Sequence, residues 1–311
     1  MVPLLESLRV SSSLHEVPME CFYKHVGISR QGYLKKKLSY FEQLEIVKEI
    51  GALIKDYRRT KDSHAGLRSL YYNLDIKTSF SIGVNKFEQL MSRAGYGLAR
   101  IRFKVITTQS CSKSRKYRNL TKGLIINGIN QLIVGDITYI LIGDHTYYLF
   151  LYTDVYSSRI VGWHLDDRMR TTEGLKALNM VAGLRGKANL KDCIHHTDGG
   201  TQYFSNLFVD SLGSLHIRIS VAQNCLENGF AEQRNGLLKK HFLPLANDFS
   251  LAGLRKHVEQ SINFYNQERK QEKLGWLSPV EFEQHVEGLK KKPGMKLFDP
   301  DNNLASERFG F

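Results

Sequence analysis

The 311-residue chain has no run of 18 or more apolar residues and no leader-like segment at its start. The first absence excludes a membrane-spanning helix, and the two together lead to the expectation of a soluble, intracellular protein with no membrane partner. Its four cysteines (Cys21, Cys111, Cys193 and Cys225) are scattered and form no CxxC pair, which argues against a structural zinc site or a disulfide framework. Internal repeats are lacking too. Residues 100–122 contain no acid, although they hold eight Lys or Arg. What is present is 42% apolar residues, enough for real cores, in a chain long enough for two or three domains.

The net charge of +13 is unevenly placed. Residues 1–125 hold 23 Lys and Arg against 10 Asp and Glu, whereas residues 126–311 hold 21 of each. This distribution predicts a polyanion-binding front end joined to an electrically balanced body.

Residues 14–38 read as a short helix-turn-helix, with PMECFYKHV, a turn at Gly27, and ISRQGYLKKKL capped by Ser29. In such motifs the second helix enters the major groove. Residues 41–57 read as an amphipathic helix with Leu44, Val47, Leu53 and Ile54 on its apolar face. A second helical pair follows, HAGLRSLYYNL and SIGVNKFEQLMSRAGY, the latter ended by Gly95. Residues 100–125 form a basic linker suited to a phosphate backbone. The expected domains are 1–40 and 41–99, both helix-turn-helix-like, the linker 100–125, a catalytic core at 126–285 and a tail at 286–311.

From residue 131 the pattern changes to strands. QLIVGDITYILI, HTYYLFLYTDVY and RIVGWHL are rich in β-branched and aromatic residues and are broken at Gly143–Asp144 and Ser157–Ser158. A helix, a strand ending at Asp198, a helix, the strand HIRISV and a last helix follow. The order βββ-α-β-α-β-α predicts an α/β ribonuclease-H-like core, a mixed five-stranded sheet flanked by helices and preceded by helical DNA-binding segments.

Three acids stand out in this pattern. Asp136 lies inside the apolar run LIVGDITYILI, Asp198 ends DCIHHTDGGTQY, and Glu232 lies in QNCLENGFAEQRNGLLKK. A carboxylate within an apolar strand is costly unless paired or bound to metal. The 33 residues between Asp198 and Glu232 leave room for the last acid to fold back onto the first two. One shared divalent-cation site explains all three. Such a site would hold two Mg²⁺ (or Mn²⁺) ions, which serve phosphodiester cleavage by in-line attack. Without metal the acids repel, so the site is expected to be loose. Lys239, seven residues beyond Glu232, falls on the same helical face and is suited to a phosphate.

At GDITYI, TDVYSSRIVGW, HHTDGGTQY, QNCLENGFAEQRNGLLK and FYNQERKQEKLGWLSP, the chain resembles the OrfB-type catalytic subunit of IS-three family insertion-sequence transposases. These belong to the DDE transposase and retroviral-integrase superfamily. The resemblance spans about residues 131–283. A weaker one extends upstream through AGLRSLYYNL, FEQLMSRAGY and GISRQGYLKK. It implies that Asp136, Asp198 and Glu232 are the catalytic and metal-binding triad, that Lys239 is the basic position after the glutamate, and that Tyr265, Asn266 and Arg269 are the C-terminal signature. The spacing before the glutamate is shorter than the family's usual one. The family's Asp-Asn pair is Glu227–Asn228 here, which makes Glu227 a rival ligand, and its arginine after the second aspartate is Gly199. The His-His-Cys-Cys module of retroviral integrases is not supplied by His15, His25 and Cys21.

The function implied is metal-dependent strand cleavage at transposon ends followed by strand transfer into target DNA. The alternatives are a ribonuclease-H-like nuclease that does not join strands and an inactive, DNA-binding relative. The residues expected to face DNA are Arg30, Lys35, Lys36, Arg68, Lys86, Arg115, Lys116, Lys239 and Arg269. A homo-oligomer on DNA, a small helix-turn-helix partner subunit and a nucleoid-associated place in a bacterial cytoplasm are further expectations. His195 and His196 are adjacent on a strand, so at most one faces the acids. Asp154 is either an auxiliary to the site or a polar strand end. Trp163 and Trp276 are read as packing residues, Gly199–Gly200 as a tight exit from the strand, and KKKPG at 290–294 as a solvated break.

Overall fold

A computed structural model describes residues 3, 19–98, 116–222, 229–297 and 307–309. The chain forms two compact units, one of Met1–Tyr57 with Leu74–Gly97 and the other of Arg58–Asn73 with Leu98–Phe311. The described helices of the first hundred residues are α1 (Met19–Val26), α2 (Arg30–Thr60), α3 (Leu67–Asn73), α4 (Ile76–Phe80) and α5 (Val84–Arg93).

In the first unit, Gly27 takes a φ of 71° and closes α1, with Ile28 N–H donating back to the Tyr23 carbonyl at 3.0 Å. Ser29 then caps α2 by accepting from Gly32 N–H at 3.0 Å. The expected boundary near residue 40 is absent. α2 is one helix of 31 residues, because no proline interrupts it and its polar residues face water. Its buried face is Ile50, Ile54 and Tyr57 at i, i+4 and i+7, whereas Leu44 and Leu53, expected on that face, are each 42% exposed. Gly95, at φ 82°, stops α5, with Tyr96 N–H donating to the Met91 carbonyl. The expected helical pair is divided: α3 belongs to the second unit and α5 to the first.

The second unit is built on five strands: β2 (Leu132–Ile142), β3 (His145–Asp154), β4 (Ile160–Asp166), β5 (Ile194–Thr197) and β6 (Arg218–Val221), after the short β1 (Ile125–Ile126). Their order is β4-β3-β2-β5-β6. The β2–β3 and β3–β4 pairs are antiparallel, and β2–β5 and β5–β6 are parallel. This is the mixed sheet expected from the sequence. The connections are α6 (Thr171–Arg185), α7 (Asn206–Ser214) and α8 (Gly229–Leu237), followed by α9 (Leu251–Gln267) and α10 (Pro279–Glu287). β1 pairs with β7 (Gly294–Lys296), which pairs with β8 (Glu307–Phe309) in a small second sheet.

The two sheet faces separate by the period of two along β2. Ile133 joins the core of Phe150, Tyr152, Val181 and Phe208 under α6 and α7. Leu132 and Val134 join the opposite core with Ile194, Ala231 and Phe282, under α8 and α10. Asp136 shares the parity of Leu132 and Val134, so its side chain emerges on the α8 face.

Candidate active site

Strand register brings the two aspartates together. β2 and β5 pair in parallel from Leu132 with Ile194 to Gly135 with Thr197. One further step sets Asp136 beside Asp198, where β5 ends and the chain turns away. Asp198 Oδ1 accepts from Gly200 N–H at 3.1 Å, which ties the carboxylate to its own exit turn. Asp136 accepts from Ile137 N–H at 2.9 Å through Oδ1 and from the Asn235 side-chain amide at 2.7 Å through Oδ2. Asn235 is on α8, three residues after Glu232, which sits in the first turn of that helix. That spacing sets Asn235 beside Glu232 on one helical face.

The three acids influence one another electrostatically. Burial, then the neighbouring Asp198, pushes the Asp136 carboxyl up to about 7; the bonds from Asn235 and Ile137 oppose this, and Glu232 adds to it. Asp198 is raised chiefly by burial. Glu232 is raised by partial burial and then by Asp198. Lys239 is exposed, is lowered by desolvation and feels Asp136 in the opposite sense. The phenol of Tyr203, buried beneath, is pushed up by burial and by Tyr152, and also by Asp136 and Asp198. Among the described residues no three His, Cys, Asp or Glu side chains stand close enough together to hold a metal ion.

Lys239 does not stand on an ordinary helix. After Leu237 the chain widens into a five-residue π turn, Leu238–Phe242, which carries Lys239, Lys240 and His241. Such turns insert an extra residue and re-aim the side chains that follow.

The histidines beside Asp198 are taken up inside the fold. His195 packs against the rings of Tyr152, Phe208 and Tyr203, with centroids 5.3, 5.6 and 5.9 Å away, and burial, then His196, pushes it down to about 3. His196 Nδ1 bonds Ser220 Oγ at 2.8 Å. Asp154 is a turn-forming strand end. It accepts from the N–H groups of Asn130, Tyr156 and Ser157 and pairs with Arg185 at 3.4 Å. Trp163 is half-buried, and Trp276 stacks on Tyr72 with centroids 3.8 Å apart.

The C-terminal signature turns inward. Tyr265 Oη donates to the Ser158 carbonyl at 3.0 Å, and Asn266 brackets Ile160, accepting from its N–H at 2.9 Å and donating to its carbonyl at 2.8 Å. These residues lock the β3–β4 turn. Arg269, expected to face DNA, is corrected by its geometry: its side chain is 12% exposed and its Nε donates to the buried Asp62 at 3.0 Å. An internal carboxylate, made accessible to it by the fold, takes the guanidinium that the sequence suggested for phosphate. Of the other expected DNA contacts, Arg30, Lys35, Lys36, Lys86 and Lys116 are exposed, and Arg68 is exposed at 3.9 Å from Glu272. Arg115 and the rival ligand Glu227 lie outside the described residues. Asn235, Asp62 and His241 were missed by sequence reasoning. The i+3 spacing from Glu232 was the one signal available for Asn235.

Two profiles described as Integrase core domain match the chain, over residues 127–224 and 215–279. A Mycobacterium tuberculosis protein for insertion sequence element IS986/IS6110 is 31% identical over 47% of this chain and 55% of its own length. The chain thus spans about half the length of the first curated relatives it matches. The transposase for insertion sequence element IS629 of Shigella sonnei is 25% identical over 91% of this chain and 95% of that protein. Among solved structures, the HTLV-2 integrase catalytic core domain in complex with magnesium aligns over 52% of this chain and 99% of that one, at 20% identity and a TM-score of 0.42. The chain is thus similar to integrase core domains over residues 127–279, across its sheet and its acid-bearing helix, and to insertion-sequence transposases.

Proposed function

We propose that this chain is a DNA transposase, a polynucleotidyl transferase that cleaves at the ends of a mobile element and joins the freed 3′-OH to target DNA. One observation carries the reading. Strand register sets Asp136 beside Asp198, and Asn235, three residues after Glu232 on α8, donates to Asp136 at 2.7 Å, so that acids from three separate parts of the chain approach one end of the sheet within the integrase-core matches. The donor set fits a hard divalent cation: it is all oxygen, and its ionisation is opposed by burial and mutual repulsion that a cation relieves. Asp136, Asp198 and Glu232 would hold the metal. When bound, one or two Mg²⁺ or Mn²⁺ ions supply Lewis-acid stabilisation of the attacking and leaving oxygens.

The chain's own residues do the rest. Asn235 fixes one carboxylate oxygen of Asp136 and leaves the other directed by the strand. Lys239 offers an ammonium for a non-reacting phosphate oxygen beside the acids. The α6–α7 core excludes water from beneath the site. In this reading residues 126–285 are the catalytic core and 286–311 its tail. The helical region before residue 100, with the linker 100–125, holds DNA through Arg30, Lys35, Lys36, Lys86, Arg115 and Lys116, with Arg68 nearby. The working form is a multimer bridging two DNA ends, with a small helix-turn-helix subunit as an accessory, in the bacterial nucleoid.

The experiment is a Mg²⁺-dependent cleavage and strand-transfer assay on DNA carrying the element's terminal repeats. Wild type joins ends, and Asp136→Asn, Asp198→Asn and Glu232→Gln each lower the rate by about 1,000-fold or more, the scale expected when a metal-centred charge stabiliser is removed. Glu227→Gln retains activity. Joining that survives Glu232→Gln but not Glu227→Gln would assign the third ligand to the rival, and a wild type that binds DNA without cutting or joining it would overturn the reading.

A further inference from the structure

Asp62 is wholly buried and is paired with the His241 imidazole and the Arg269 guanidinium. Burial pushes its carboxyl up, but hydrogen bonds and charge from His241 and Arg269 outweigh this and hold it below the usual range. His241 Nδ1 donates to Oδ1 at 2.5 Å, Arg269 Nε donates to Oδ2 at 3.0 Å, and His64 N–H donates to Oδ1 at 3.2 Å. A buried ion of this kind contributes little to stability that packed apolar groups would not. Its worth lies in the geometry it imposes.

The geometry in question is that of the π turn. Such a turn releases carbonyls from the regular helical ladder. Two of them are taken by the residue after Asp62: Ser63 N–H and Oγ donate to the His241 carbonyl at 3.1 and 2.8 Å, and Oγ also lies 3.2 Å from the Lys240 carbonyl. His257 adds a bond to the Phe242 carbonyl at 2.8 Å. The segment that supplies Asp62 and Ser63 belongs to the second unit and is fastened within it. Lys61 pairs with Glu268 at 3.1 Å, the Asn73 side chain accepts from Lys270 N–H at 3.0 Å, and Arg58 closes the loop by donating to the Ala65 carbonyl at 2.8 Å. A fixed stretch of chain, more than 160 residues before α8 in sequence, therefore grips the end of the element that carries Glu232, Asn235 and Lys239.

We infer that Asp62 and Ser63 form a clasp that sets the position of α8 and its π turn, so that Glu232 meets the aspartates, Asn235 reaches Asp136 and Lys239 points at the site. These are positioning residues. They touch neither substrate nor metal, and the roles of the residues they position rest on the function proposed above.

The test uses the full chain with Asp62→Ala, His241→Ala and His241→Asn. Asparagine places an amide N–H near the Nδ1 position, so it keeps the donor. Cleavage and joining are followed with kcat separated from KM for the DNA ends, together with thermal unfolding and hydrogen exchange across Gly229–Phe242. The two alanine variants are expected to lose about 100-fold in kcat, the cost of misplacing a reacting group by about 1 Å. KM should change far less than kcat, since Lys239 is the one DNA contact that depends on the clasp. Exchange should rise in Gly229–Phe242 and stay unchanged in Thr171–Arg185, and His241→Asn should keep kcat within about threefold of wild type. Should Asp62→Ala not fold, Ser63→Ala decides, with the same exchange signature and a loss of about tenfold. Wild-type kcat and exchange in the alanine variants would overturn the clasp, as would a loss of protection spread evenly over the fold. A wild type inactive on DNA would sink the proposed function while leaving the exchange result to judge the clasp.

Discussion

A neutral histidine enclosed by three aromatic rings makes the protein sensitive to acid. His195 is pushed down to about 3 by its burial, against an ordinary value of about 6.5. Below that ordinary value the unfolded chain takes up a proton that the folded chain refuses. Stability from this residue is therefore full above about pH 6.5 and declines toward about pH 3. At about pH 5 the loss is about 2 kcal/mol. His195→Phe, which fits the ring cluster, should match wild type near about pH 8 and exceed it by about that amount at about pH 5, as read by urea unfolding at both pH values. Equal acid sensitivity in both proteins would count against this account. The same position shows how residue-level reading works and where it stops. Adjacent placement on a strand said that His195 and His196 face opposite ways. What waits on each side, a ring cluster for one and Ser220 on β6 for the other, depends on elements far apart in the chain.

At the scale of elements, the sheet is held to its helices by close approach and by one buried ion cluster. Gly162 on β4 lets α6 lie against the strand, since an added Cβ would collide with the Ala177 carbonyl and with Val181. Gly162→Ala should cost about 1–3 kcal/mol by overpacking, measured by chemical denaturation. Arg185 at the end of α6 donates to Glu283 on α10 at 2.9 Å and lies 3.4 Å from Asp154 on β3, while Arg159 reaches the same glutamate at 2.6 Å. Arg185→Met leaves two buried carboxylates with reduced compensation and should cost about 3–5 kcal/mol. A loss below about 1 kcal/mol would mean that Arg159 alone neutralises the cluster.

The strands were legible in the sequence because their alternation is local, and the parity that sets Asp136 on the α8 face follows from the same period of two. The acid pair was legible because an ion in an apolar strand needs a reason. The π turn after α8 was not, since its stabilising groups on Ser63 lie 178 residues away. Nor was the destiny of Arg269, which depends on Asp62 at a separation of 207 residues. The continuity of α2 was missed for a different reason. Its apolar positions change face along the helix, and exposed Leu44 and Leu53 imitated a core stripe.

For the whole molecule the dominant long-range property is charge. The excess of +13 sits in the first 125 residues, while the remainder is balanced. If the basic front end meets several phosphates, affinity for DNA should fall by about 1,000-fold or more between about 50 mM and about 200 mM salt. Lys35→Ala with Lys36→Ala should reduce the slope of log K against log salt by about 2, with little change in sequence preference. Fluorescence anisotropy across a salt series reads both. A slope untouched by the double substitution would remove these lysines from the DNA-binding surface. Among the described residues no helix is long and apolar enough to cross a membrane.

The chain passes between its two compact units three times, at residues 57–58, 73–74 and 97–98. A stretch that precedes the integrase-core match by more than fifty residues is thus part of the same folded unit. A fragment cut by similarity at residue 127 would be severed from Asp62, the counter-ion of the inward-turned Arg269 guanidinium. Limited proteolysis should accordingly spare Arg58–Asn73 along with the sheet. The second compact unit is discontinuous in sequence, so trimming from one end cannot isolate it whole.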